Sequence, residues 1–162
     1  MKMAERLFRG EIIGKTPKPD EKAQDRISHY LLEESPVEFI WQTDSVYGGK
    51  ESKVTLENRS TGVELQCENF RCTLSQLEIL DLLSKGMLNK QIASYLGLSP
   101  ATVKNQIDSC RKNNRDMNKI PSRRTPTTIE LVIRAETLGF LRPDFLPSVR
   151  ETFLVKRDSS NP

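Results

Sequence analysis

The chain has 162 residues, enough for one or two small domains, because a lone hydrophobic core becomes marginal much below about 60 residues. Charged residues make up 29% and apolar ones 36%, the composition of a soluble globular protein with some polar sequence. No apolar run nears the roughly 18 residues that cross a bilayer, and Met1–Gly10 lacks the apolar stretch of a secretion signal, so no membrane span is predicted and the cytoplasm is the expected location.

The net charge of +3 is unevenly spread. Residues 1–70 carry 10 basic and 13 acidic side chains, net −3, whereas residues 71–157 carry 15 basic and 8 acidic ones, net +7. A domain this basic attracts polyanions through counterion release, which makes nucleic acid the natural partner of the C-terminal half. Cys67, Cys72 and Cys110 form no C-x-x-C pair, and the single histidine, His29, lies far from them in sequence. Neither a disulfide framework nor a metal site follows, and the three cysteines read as reduced, partly buried thiols.

Residues 1–19 mix Lys, Arg, Pro and Gly without a period, and Pro17 with Pro19 would break a helix, so they read as a flexible arm. From Asp20 to Glu34, Ala23, Ile27, Tyr30 and Leu31 fall at helical spacing behind a capping aspartate, predicting an amphipathic helix. Pro36 ends it. Val37, Phe39 and Trp41 then alternate with Glu38 and Ile40 as in a strand, and Val54, Leu56 and Val63, Leu65, Cys67 flank the turn residues 58–62 as in a hairpin. Residues 20–70 therefore predict one helix against a small antiparallel sheet, serving dimerisation or sensing. Phe39, Trp41 and Tyr47 are candidates for core, for a small-ligand pocket or for a subunit interface.

The period turns helical at Thr73. Thr73 with Gln76 makes a capping box, Leu77, Leu80 and Leu83 follow, and Gly86 ends the helix. A second helix runs from about Asn89 to Leu96. After the short break Gly97–Leu98 a third starts at the N-cap Ser99, with Pro100 at its first position. Thr127 with Glu130 announces a fourth that carries Ile129, Val132, Ile133 and Leu138 before Gly139. The expected class is α+β, with a small helix-plus-antiparallel-sheet region at 20–70, a four-helix bundle at 71–142 and a tail at 143–162.

Two short helices joined by a glycine turn let one brace the other while its N-terminal half projects into a major groove about 12 Å wide. Ala93 is small where the helices meet, Gly97 suits a positive φ, and Ile92, Leu96, Val103 and Ile107 form the seam. The stretches Thr73-Leu74-Ser75-Gln76-Leu77-Glu78-Ile79-Leu80, Asn89-Lys90-Gln91-Ile92-Ala93 and Leu98-Ser99-Pro100-Ala101-Thr102-Val103-Lys104, with Gly86 between the first two, resemble the LuxR/GerE-type helix-turn-helix. Glu130-Leu131-Val132, Ala135 and Leu138-Gly139-Phe140-Leu141 extend that resemblance to roughly residues 72–141.

The resemblance implies a transcription regulator that reads double-stranded DNA with the helix from about Ser99 to Lys112, as a homodimer whose contact lies on the fourth helix around Ile133 and Thr137. It implies base contacts from Lys104, Asn105 and Asp108. Lys90, Ser99, Thr102, Arg111 and Lys112 are then the phosphate contacts, which position without reading sequence. Lys119, Arg123 and Arg124, in the basic link from Asn113 to Pro126, either lie on the backbone or belong to a solvated linker. The chain departs from the family pattern at Gln106, where histidine is usual and where the side chain should pack inward. It departs again at Asp108, commonly small or basic, and in the length of that link.

Residues 1–70 are too short for the receiver or acyl-homoserine-lactone domains of full-length relatives. RNA polymerase is a further expected partner. Two other readings are a sigma-factor-like promoter-recognition protein and a protein-interaction adaptor using the same turn. No G-x-S-x-G, P-loop, H-E-x-x-H or Cys–His pairing occurs, so no enzyme, cofactor or metal is expected.

Overall fold

The computed structural model describes residues 26–43, 50–115 and 124–157. The arm at 1–19, the start of the first predicted helix, Tyr47, Lys119 and Arg123 lie outside the described residues. Four strands, β2 (Val37–Thr43), β3 (Lys50–Arg59), β4 (Gly62–Cys67) and β5 (Phe70–Thr73), form an antiparallel meander in sequence order. The alternation read from sequence sets its faces: Val54, Leu56, Val63, Leu65 and Cys67 are buried, while Glu38, Ile40, Lys53 and Gln66 are exposed. Gly62, at φ +127°, takes the turn conformation between β3 and β4 that a side chain would strain.

The helix expected over 20–34 does not form in its described part. One 3-10 turn at Ile27–His29 leads into strand β1 (Tyr30–Leu32), which pairs antiparallel with β6 (Leu154–Lys156) at the end of the chain. Helical spacing would bury Leu31, but Leu32 and Ile27 are the buried residues. Main-chain bonds decide the matter. The Arg157 N–H donates to the His29 carbonyl at 2.7 Å, and the Leu32 N–H and carbonyl meet the carboxamide of Asn58 at 3.1 and 3.3 Å. Partners remote in sequence supply these bonds, so local periodicity could not show them.

Thr73 both closes β5 and caps α1 (Leu74–Ser84), accepting from Gln76 N–H while Gln76 Oε1 accepts from Thr73 N–H, each near 3 Å. α1 is buried on two sides. Leu74, Leu77 and Leu80 join the sheet's inner face in one core, and Ile79 and Leu82 join α2 (Asn89–Leu96) and α3 (Pro100–Asn113) in a second. The expected border at residue 70 therefore runs through continuous packing.

α4 (Thr128–Thr137) forms behind its predicted cap, Thr127, but its buried Leu131 and Ala135 belong to the sheet-side core rather than to that of α2 and α3. The segment read as a tail from 143 contains α5 (Phe145–Phe153) and β6. Pro147 obscures that helix in the sequence, yet it falls in the first turn, where no main-chain donor is needed. Phe145 is fully buried, with the Trp41 ring edge-on at 4.9 Å, Phe140 at 4.8 Å and Phe39 at 6.4 Å. The Trp41 indole N–H donates to the Gly139 carbonyl at 3.1 Å. Phe39 and Trp41 are thus half-buried and packed against the core. Among the described residues no helix is long and apolar enough to cross a membrane.

Candidate nucleic-acid interface

α2 and α3 are joined by Gly97, which ends α2 at φ +70° and ψ +34°, and by Leu98. An L-side chain in this left-handed conformation costs about 1–2 kcal/mol, which is why glycine stands there. The Leu98 N–H then closes on the Ala93 carbonyl at 2.8 Å. Ile92, Ala93, Leu96, Val103 and Ile107 are buried between the helices with Ile79 and Leu82 of α1, as the spacing predicts.

Burying Val103, Ile107 and Cys110 turns the opposite side of α3 outward. Lys104, Asn105, Ser109 and Lys112 are exposed, and Asp108 keeps 40% of its side chain exposed. Gln106 points partly inward, where it accepts from Gln76 Nε2 at 3.3 Å. Lys90 is exposed in the first turn of α2. Ser99 caps α3 by accepting from Thr102 N–H at 3.1 Å, and the two hydroxyls meet at 2.8 Å. One hydroxyl proton is used between them, which leaves the pair one donor for an outside acceptor.

Arg111, a predicted phosphate contact, and Arg124, a link residue read either as a backbone contact or as part of a solvated linker, also have partners within the fold. Arg111 donates through Nε to the Pro126 carbonyl at 2.8 Å and lies 3.6 Å from Asp108 Oδ1 through Nη1. Arg124 donates to Glu130 Oε1 at 2.8 Å. Lys104, Asn105 and Lys112 share the outer half of α3, and Lys90 extends this surface from the neighbouring helix.

Sequence reasoning missed Asn114, the buried residue that ends α3. Its Oδ1 accepts from the Arg71 N–H at 2.9 Å, and its Nδ2 donates to the carbonyls of Arg71 and Cys110, each at 2.7 Å. An asparagine after a helix reads as an ordinary C-cap, so nothing local flags an anchor to β5. Burial also pushes the Cys72 thiol well above its ordinary pKa, helped by a hydrogen bond with Cys110. The three cysteines are buried and none is in a disulfide, and no cluster of His, Cys, Asp or Glu among the described residues could hold a metal.

Residues 73–112 match the family model described as bacterial regulatory proteins, luxR family. The match runs from the cap of α1 through the outward face of α3 and spans about a quarter of the chain; the sheet, α4, α5 and β6 lie outside it. Comparison with curated proteins and with solved structures gives no match. The segment from α1 to α3 is a helix-turn-helix of the kind found in the DNA-binding luxR regulators.

Proposed function

We propose that this chain is a sequence-specific transcription regulator that lays α3 in the major groove of double-stranded DNA and acts as a homodimer. The observation that carries the reading is the outward display of Lys104, Asn105, Asp108 and Lys112 on a helix whose opposite side is packed. Lys104 donates to guanine O6 and N7, Asn105 pairs with adenine N6 and N7, and Asp108 accepts from cytosine N4. Lys90, Lys112 and the Ser99–Thr102 pair meet phosphates and set the register.

The dimer contact in this reading is α4. Ile129 and Ile133 lie one turn apart and are 70% and 56% exposed, while the charges beside them, Arg124–Glu130 and Glu68–Arg134, are already paired. Apolar exposure bounded by neutralised charge suits a second copy of the same surface. The action is placed in the cytoplasm, where the DNA lies, with RNA polymerase as the downstream partner.

In vitro selection from a randomised duplex pool tests the proposal. The expected product is an inverted repeat whose half-sites lie about one helical turn, roughly 10 base pairs, apart. Failure to enrich any sequence, together with retention on DNA that does not weaken as salt rises, would reject it.

A further inference from the structure

We infer that Arg111 is a positioning residue that holds Asp108 for reading a base pair, not a phosphate contact. This deepens the DNA-binding reading and rests on it.

Asp108 sits among the DNA-facing side chains of α3, where a bare carboxylate would repel phosphates. One helical step further on, the Arg111 guanidinium lies 3.6 Å from Asp108 Oδ1. An exposed i,i+3 pair is worth little by itself, since two long side chains must be ordered in a high-dielectric setting. Arg111, however, is ordered already. Its Nε donates to the Pro126 carbonyl at 2.8 Å, beside the cap of α4. One edge of the planar guanidinium is thus fixed to the backbone, and the other edge is presented to Asp108 at little further entropic cost.

Three consequences follow from that geometry. The pair is locally neutral, so the carboxylate can face a polyanion. Asp108 has no other partner among the described residues, which leaves Oδ2 to accept from an outside donor such as the cytosine N4 amino group. Arg111, committed to Pro126 and Asp108, adds no phosphate neutralisation. A lysine could not substitute, because one ammonium cannot face both partners in this fork.

The two roles for Arg111 separate in a single set of measurements on the full chain: the salt dependence of binding and the base preferences obtained by selection from random duplexes. A phosphate contact contributes about 0.9 to the slope of log K against log salt and nothing to base choice. Lys112→Ala serves as the control, with the slope expected to fall by about 0.9 and base preferences unchanged. Arg111→Gln and Arg111→Lys are expected to keep the wild-type slope and to lose, about tenfold, the preference for a C·G pair at one position of each half-site. Asp108→Ala, a surface change, should lose preference at that same position and at no other.

A slope that falls by about 0.9 in Arg111→Gln with all preferences intact would overturn the inference, as would an unchanged profile in Asp108→Ala. The latter readout stands even if the Arg111 variants fail to fold. A wild-type chain that enriches no sequence removes the underlying DNA-binding reading and the inference with it. Enrichment without a C·G preference at any position that Asp108→Ala alters removes the inference alone.

Discussion

The carboxamide of Asn114 closes on both main-chain groups of Arg71, accepting from its N–H at 2.9 Å and donating to its carbonyl at 2.7 Å. One side chain thereby acts as a single-residue strand on the free edge of β5, and it pins the end of α3 to the sheet. Asn58 treats Leu32 in the same way, at 3.1 and 3.3 Å. Both clamps join segments far apart in sequence. In the case of Asn114 the result is a helix-turn-helix whose orientation is fixed by the sheet beneath it.

Asn114→Ala should therefore destabilise the whole fold. It removes three hydrogen bonds at a site with no exposure and strands the Arg71 N–H and two carbonyls, a loss of about 2–4 kcal/mol when part of the deficit is met by water. Urea denaturation checks this by the shift in midpoint. Asn114→Asp should be worse at neutral pH, because a carboxylate oxygen would face two carbonyls where the amide donated. It should recover partly at low pH, where the protonated acid again donates. A loss below about 0.5 kcal/mol in Asn114→Ala would mean that the clamp is dispensable.

The helix-turn-helix was legible residue by residue because its signals are local: Thr73 with Gln76, Gly97, Ser99 with Pro100, and the alternation of buried Ile92, Leu96, Val103 and Ile107. The hairpin β3–β4 was legible for the same reason, since its alternation and turn residues are adjacent. β1 was misread as helix because its pairing partner, β6, stands more than 120 residues away. α5 went unseen because Pro147 reads as a breaker unless the helix start is known. On the outer surface of α3, Lys104 and Asn105 could be named from spacing, but the commitment of Arg111 to Pro126 could not, since it depends on how the chain returns after the link.

Lys104→Ala combined with Asn105→Ala should remove most of the operator selectivity, leaving the part read by Asp108, without unfolding the protein. Both side chains are exposed, and neither has a partner among the described residues, so thermal stability should change by less than about 0.5 kcal/mol. Affinity for the selected site should fall about thirtyfold or more if each contact carries 1–3 kcal/mol, while affinity for random duplex changes far less. Fluorescence anisotropy on the two duplexes gives the ratio directly. Equal losses on both would move these residues from base reading to backbone contact.

Ile129→Glu with Ile133→Glu should leave a folded monomer. Both residues are exposed in the single chain, so the monomer loses little, whereas a symmetric α4 contact would bury like charges against themselves. Analytical ultracentrifugation at micromolar protein should show the wild type as a dimer and the variant at half that mass. Binding to the paired site should weaken as the linked second half-site contact is lost, while binding to one half-site stays as before. A wild type that remains monomeric at these concentrations, with or without DNA, would exclude α4 as the dimer surface.

Cys72 supplies a prediction about pH. Burial is the main cause that pushes its thiol well above the ordinary value of 9.0, and the hydrogen bond with Cys110 adds to it. The folded state therefore holds this proton after the unfolded chain has lost its own, so the unfolded state binds fewer protons at alkaline pH and stability must fall as pH rises. Below about pH 8 both states are protonated and the effect vanishes. From pH 9 upward the slope should approach a loss of about 1.4 kcal/mol per pH unit from this one group. Cys72→Ala is less stable at neutral pH because of the cavity it leaves, but its stability should fall less steeply between pH 9 and 10. Urea midpoints at half-unit intervals compare the two slopes, and parallel lines would show that Cys72 ionises in the native protein as readily as in the unfolded one.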